Sequence, residues 1–272
     1  MTGATFGTRM RYWDSKKYVS TLRSVAHGAV RRITRRRCGG YEVAEGYFAG
    51  RTGLEIGGPS TIFRKGGLVP VYDRCRRIDS CNFSVRTIWS NPGEKRGFGP
   101  RLGRQFVAEA GNLAGIADGE YEFVLASHVL EHVANPLRAL EEWKRVVAPG
   151  GLLVVIVPDR RWTFDHRRPL TTFEHLEADY RSGVSEDDLT HLDEILALHD
   201  LELDPPAGSH EEFRKRCLSN ASIRAMHHHV FNPETMVRIF SWCGMHVVST
   251  SVEAPFHIVV MGERAAPSIQ AS

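Results

Sequence analysis

No two cysteines in this chain are spaced as Cys-x-x-Cys, and the five present, Cys38, Cys75, Cys81, Cys217 and Cys243, are odd in number and widely scattered. The pattern excludes a zinc-ribbon site and a disulfide framework, and it reads as reduced thiols. Long apolar runs are missing too. The longest, Gly151 to Pro158, has the length of a strand and not the roughly 20 residues of a bilayer-spanning helix. Met1 to Asp14 has no apolar signal-peptide core, so a cytoplasmic location is expected. An excess of one charge is equally absent. With 35 Lys+Arg against 32 Asp+Glu the formal net charge is +3, too small to demand a stable nucleic-acid partner. The arginines at 31, 32, 35, 36 and 37 form the one basic cluster, read either as a solvated helix face or as a patch for an anion or membrane surface.

At 272 residues the chain can bury one large core with insertions. Residues 1–50 are expected to form an N-terminal helical cap, from the helical spacing of Tyr18, Leu22, Val25, Ala29, Val30 and Ile33 before Gly39-Gly40. Residues 51–272 then read as an α/β domain. Leu54–Ile56 is the expected first strand, ending in the turn Gly57-Gly58, and Leu68–Tyr72 the second, with Asp73 at its end. The short link between them leaves room for only an abbreviated helix. Phe106–Ala108 and Tyr121–Ala126 are the next strands. Pro136–Val147 has apolar residues at helical spacing and stops at Pro149-Gly150-Gly151. Leu152–Val157 is a continuous apolar run, as in a strand buried on both faces. Residues 160–226 are polar and broken, and read as a lid or insertion after strand five. A helix from Pro233 to Trp242 and strands at His246–Ser251 and His257–Met261 complete the pattern.

The glycine turn alone is a weak nucleotide-fold signal, and the second Gly-x-x-Gly of a dinucleotide oxidoreductase is missing. In series with the downstream motifs it is specific. Glu55-Ile56-Gly57-Gly58, a strand ending in Asp73, Glu109-Ala110-Gly111-Asn112-Leu113, the Leu130-Glu131-His132 string and Pro149-Gly150-Gly151 together resemble the class I S-adenosylmethionine-dependent methyltransferases of the type 11 group. The resemblance runs from about Thr52 to Pro158 and resumes near Pro233. It implies a doubly wound, mostly parallel seven-stranded Rossmann-like sheet with S-adenosylmethionine as cofactor. Carried over residue by residue, it assigns Glu55 and Gly57 to the motif whose backbone cradles the methionine part of the cofactor, Asp73 to the ribose, and Glu109 and Ala110 to the adenine, with Ile56, Gly58 and Ser127 also in the cofactor-binding set. The family usually has Asp where Glu109 stands. Val157 to Thr172, with His175 and Asp179, and the string Met226 to Phe231 are similar to a subgroup linked to sugars and cell-surface polysaccharides.

A sugar hydroxyl is a poor nucleophile at neutral pH, so its proton needs a base or a cation. His128, directly after strand four, is the expected base. Asp159, directly after strand five, is expected to orient it or to hold a metal, and His175 joins the catalytic set. His227 and His229 occupy alternate positions, so an extended segment would turn both the same way. With Asp165 or Asp159 they form a candidate Mg2+ or Mn2+ site. Each histidine also reads as a packing residue. The expected enzyme is an O-methyltransferase acting on a sugar or glycan, forming a homodimer. A small-molecule or lipid methyltransferase, an RNA methyltransferase and a noncatalytic partner subunit stay open as alternatives.

Overall fold

The structure, a computed structural model, describes residues 37–88 and 101–266. Most of the expected N-terminal cap, and the arginine cluster up to Arg36, lie outside the described residues. Seven strands form one sheet: β1 (Thr52–Ile56), β2 (Arg77–Asn82), β3 (Leu102–Val107), β4 (Tyr121–Ser127), β5 (Val147–Pro158), β6 (Met245–Glu253) and β7 (His257–Arg264). Their spatial order is β3-β2-β1-β4-β5-β7-β6. The first five are parallel, and β7 runs antiparallel between β5 and β6. The order reverses between β1 and β4, and at such a switch point an open α/β sheet leaves a crevice beyond the carboxyl ends of its strands.

The described helices are α1 (Tyr41–Ala44), α2 (Pro136–Val146), α3 (Phe173–Ser182), α4 (Leu192–Leu198), α5 (His210–Leu218), α6 (Asn220–Ile223) and α7 (Pro233–Trp242). Both α2 and α7 begin with Pro behind an Asn cap: Asn135 accepts from Arg138 N at 3.2 Å and Asn232 from Thr235 N at 2.8 Å. Such caps satisfy amides that have no partner within the helix. Successive residues of the central strands feed two separate cores. Val124, Ala126, Leu153 and Val155 pack with Leu137, Leu140, Trp143, Met236 and Phe240 of α2 and α7. Phe123, Leu125, Leu152 and Val154 pack with Tyr41, Phe48, Phe63, Val69 and Val71. Two covered faces explain why β4 and β5 read as nearly unbroken apolar runs.

The second strand is not where the apolar pattern placed it. Leu68–Tyr72 is an irregular segment that covers a sheet face, and the amides of Val69, Val71 and Tyr72 donate to the carbonyls of Ile62 and Phe63. The strand is Arg77–Asn82, a polar string with buried Asp79 at its centre. That carboxylate accepts from Tyr121 Oη at 2.8 Å, from Arg104 Nε and N at 2.9 Å each, and lies 3.0 Å from Arg77 Nε. A buried carboxylate persists only with such partners. Asp73 therefore sits in an exposed turn ahead of β2 and not at a strand end. Between β1 and β2 the chain makes only a 3-10 turn, Thr61–Phe63, as the short link required. β3 starts at Leu102, four residues before the expected Phe106.

Between β5 and α7 lie α3 to α6 and a small third core that includes Ile195, Phe213, Cys217 and Met226. Arg168, wholly buried, ties this insertion together. Its guanidinium donates to Asp165 Oδ1 (3.1 Å), Glu194 Oε1 (2.9 Å) and the carbonyls of His227 (2.8 Å) and His228 (3.2 Å). Thr171 N and Val230 O pair at 2.9 Å. The two strings singled out after β5 are thus one packed unit. Among the described residues no helix is long and apolar enough to cross a membrane.

Candidate active site

A cavity of about 400 Å³ opens at the carboxyl ends of β1, β2 and β4. Its first wall is the turn after β1. Gly57 has φ +75°, and a Cβ there would lie 2.4 Å from Val129 Cγ2, so both the conformation and the space require glycine. Gly58 is bare for a different reason, since a Cβ would sit 2.2 Å from the Glu55 carboxyl carbon. Glu55 does not line the cavity. It turns back beneath the loop, where Oε1 accepts from Ser60 N at 2.8 Å and Oε2 accepts from Tyr72 Oη at 2.5 Å. Burial pushes its carboxyl up to about 8, against the opposing pull of Tyr72 and the Ser60 amide, so near neutral pH it is protonated. Glu55 holds the turn in shape, and Ile56, Gly57 and Ser127 present themselves to the cavity.

Asn82 occupies the end of β2, where an acidic residue was expected. It lines the cavity, and its Nδ2 donates to Gly58 O at 3.1 Å, joining β2 to the glycine turn. Asp73 does not line the cavity. Glu109 and Ala110 do, on the loop after β3. Trp143 Nε1 on α2 donates to Ala110 O at 2.9 Å, and Glu109 Oε1 accepts from Arg224 at 2.7 Å.

The segment after β4, beside the glycine turn, carries proton acceptors. His128 is a non-glycine residue at φ 54°, pinned by its amide to Ile156 O at 2.8 Å. Its Nε2 lies 2.9 Å from His257 Nδ1, and its Nδ1 lies 3.4 Å from Glu131 Oε1. Glu131 is fully buried, with no hydrogen-bond partner on either oxygen. Burial alone would raise its carboxyl; His128 first, then His132 and His227, outweigh this and leave it below the ordinary value. His132 also lines the cavity, and burial beside His227 drops its imidazole to about 3, so the ring is neutral.

Two expected catalytic residues stand elsewhere. Asp159 is buried at the end of β5, but Arg161 closes on both its oxygens, with Nε–Oδ1 3.0 Å and Nη2–Oδ2 2.6 Å, and it meets neither His128 nor the cavity wall. His175, on α3, is grouped with Asp179 and His191, away from the cavity lining. The expected metal trio does not assemble. His227 Nδ1 bonds Asp165 Oδ2 at 2.6 Å and falls with Glu131 and His132, whereas His229 falls with His175, Asp179 and His191. The segment is not a strand, so the alternation that would align the two imidazoles does not apply. Burial alone would raise the Asp165 carboxyl, but His227 and Arg168 outweigh it and hold it well below the usual carboxylate range.

Among the cavity residues that sequence reasoning did not single out, two come from the insertion: Glu186 and Arg224. Arg224 bridges Glu109 and Glu186, with Nε 3.6 Å from Glu186 Oε2, and stacks over Phe83 at 5.2 Å. Burial lifts the Glu186 carboxyl to about 7, with Arg224 opposing. No motif marks either residue, because each sits in a polar stretch of irregular period.

A family model described as a methyltransferase domain matches residues 69–250. The chain belongs to that methyltransferase family. Among curated relatives, an uncharacterized methyltransferase of Mycolicibacterium gilvum (strain PYR-GCK) is 43% identical over 68 residues, 24% of this chain and 27% of that protein. One of Mycobacteroides abscessus is 32% identical over 117 residues, 42% of this chain and 43% of that protein. A ubiquinone biosynthesis O-methyltransferase of Caulobacter sp. (strain K31) is 29% identical over 86 residues, 30% of this chain and 31% of that protein. The chain thus spans well under half the length of the curated relatives it matches. Of solved structures, a SAM dependent methyltransferase from Aquifex aeolicus aligns over 84% of this chain and 90% of that one, at 14% identity and TM-score 0.46.

S-adenosylmethionine, the donor implied by the methyltransferase resemblance, fits the residues present. The Gly57 backbone lines the cavity without a side chain, Asn82 and Ser127 offer polar side chains beside it, and Ala108, Ala110, Cys81 and Phe83 supply apolar surface on the side expected for the adenine.

Proposed function

We propose that this chain transfers a methyl group from S-adenosylmethionine to a hydroxyl oxygen of a sugar or glycan. The observation that carries the reading is one cavity lined by both the glycine turn and the titratable residues His128, His132 and Glu186. When bound, the sulfonium supplies an electrophilic methyl and a neutral thioether leaving group. The chain's own residues then have to hold the acceptor in line and take its proton. His128 Nε2 and His257 Nδ1 share a hydrogen bond at 2.9 Å, which orients the His128 ring as the base. Bound beside this ring, an acceptor hydroxyl would give its proton to the His128 imidazole as its oxygen gained the methyl that the donor would supply. The buried Glu131 carboxylate, 3.4 Å away, stabilises the imidazolium so formed.

Support for oxygen as the nucleophile comes from this base and from the relative named as an O-methyltransferase. Support for a sugar comes from the resemblance of the two insertion strings and from the polar rim of Ser60, Thr61, Arg64, Glu186 and Arg224. The test is a screen of methyl acceptors with radiolabelled donor, in which mannosides and glucosides stand beside phenols, lipid alcohols and RNA. Label in a sugar supports the reading, and label confined to any other class overturns the acceptor. Absence of donor binding at millimolar concentration in calorimetry overturns the enzyme.

A further inference from the structure

We propose that His175, Asp179, His191 and His229 form a zinc-class cation site that fastens the loop carrying Glu186. One ligand atom of each residue lies within 4.8 Å of every other. His175 and Asp179 share a face of α3 one turn apart, with Nε2 and Oδ2 separated by 3.2 Å. His191 precedes α4, and its Nε2 lies 3.1 Å from His175 Nε2. A tetrahedral zinc with bonds of about 2.0–2.1 Å places its ligands about 3.3–3.4 Å apart, so these separations are those of an ion's shell after a small adjustment.

The hydrogen-bonding of the cluster is incomplete in the way a cation would complete. His175 Nε2 stands within 3.2 Å of both His191 Nε2 and Asp179 Oδ2 and carries at most one proton, so it cannot satisfy both. The buried Asp179 Oδ2 and His229 Nδ1 atoms have no hydrogen-bond partner, a state with a cost for interior polar groups. His229 Nε2 donates to Ala134 O at 3.1 Å, the outer-shell bond that metal-ligating histidines commonly make. Three imidazoles and one carboxylate suit Zn2+ in preference to Mg2+, which takes an oxygen shell.

The site is not part of the cavity lining, but it brackets a piece of it. Asp179 and His191 flank residues 183–190, and within them Glu186 reaches the cavity and accepts from Ala134 N at 3.3 Å. An ion held by both ends of this loop fixes where Glu186 stands.

The experiment is zinc binding by the full chain after chelator stripping, followed by competition with a chromophoric chelator and elemental analysis. His175→Gln and His191→Gln are the variants, each only partly buried and each checked for fold by circular dichroism. Glu131→Gln controls for the second cluster, with His132 and His227. One zinc per chain is expected, retained in the control. Either histidine variant should weaken it by more than the roughly 100-fold that loss of an outer-shell partner costs. Amide exchange across residues 183–191 should slow when zinc is added. A folded chain that binds no zinc, binding that survives both histidine variants, or binding lost only in Glu131→Gln overturns the site, and none of these readouts depends on methyl transfer.

Discussion

Replacing Gly57 by alanine isolates the claim that the turn after β1 is a donor cradle. The residue sits at φ +75°, and the new Cβ would come within 2.4 Å of Val129 Cγ2 and 3.6 Å of Val129 Cβ. A left-handed backbone costs an L-residue about 1–2 kcal/mol, and overpacking adds about 1–3 kcal/mol. If the turn shifts to relieve both, about 3 kcal/mol leaves the binding step, which is roughly a 100-fold weaker donor. Gly66 is the internal control. It has φ +77° with nothing within 4 Å of a Cβ, so Gly66→Ala carries the backbone cost without the collision and should leave donor affinity unchanged. Calorimetric titration with S-adenosylhomocysteine reads both. Truncating Val129 to alanine in the Gly57→Ala background removes the colliding methyl and should return part of the affinity. Binding by Gly57→Ala within roughly threefold of the parent chain, or equal losses in Gly57→Ala and Gly66→Ala, refutes the cradle.

His128→Ala should keep donor affinity and lower turnover by about 10²–10⁴-fold, as loss of a general base does; if Glu186→Gln alone produces that loss, the base is Glu186. Glu55 has its carboxyl raised from 4.5 to about 8, so the folded chain keeps a proton that the unfolded chain gives up. Stability from this group is complete below pH 4.5 and declines as pH rises to about 8, by on the order of 5 kcal/mol at most. Urea midpoints across that window should fall in the parent chain and stay nearly level in Glu55→Gln, and parallel profiles would contradict the burial argument. Asp79→Ala leaves the Tyr121 hydroxyl and the Arg104 amide without their acceptor and should cost about 2 kcal/mol in the same denaturation assay; an unchanged midpoint would mean that the network does not stabilise β2.

The elements legible in the chain were those in which apolar spacing and burial coincide. α2, α7, β4 and β5 bury apolar stripes or continuous runs, and their ends carry Asn-Pro or Pro-Gly signals. β2 was illegible for the opposite reason. Arg77-Ile78-Asp79-Ser80-Cys81-Asn82 is stabilised in the sheet by a carboxylate meeting two arginines and a tyrosine, and the partners from other elements are not revealed by the local string. The apolar run just before it, Leu68–Tyr72, buries equally well without joining a ladder. Periodicity reports burial, and burial alone does not distinguish a strand from a segment that covers one. The misplacement of Asp73 came directly from this, since its assignment depended on the strand preceding it.

The same distinction divides the site. The residues expected at the donor hang from strand ends, so a reading that finds β1, β3 and β4 finds Gly57, Glu109, Ala110 and Ser127, and the expected base His128 with them, and all five line the cavity. The acceptor side depends on the insertion, where position is set by contacts distant in sequence. Arg168 draws the carbonyls of His227 and His228 onto the segment after β5. Arg224 reaches Glu109 across 115 residues. Asp159 shows how a strand end misleads when a neighbour intervenes: it lies directly after β5 as the fold requires, yet Arg161 takes both its oxygens. Residues at the ends of the shared strands report the donor. Under the proposed function the insertion selects the acceptor, and a substitution at Arg224 or Glu186 should therefore change which acceptor is methylated more than whether the donor binds.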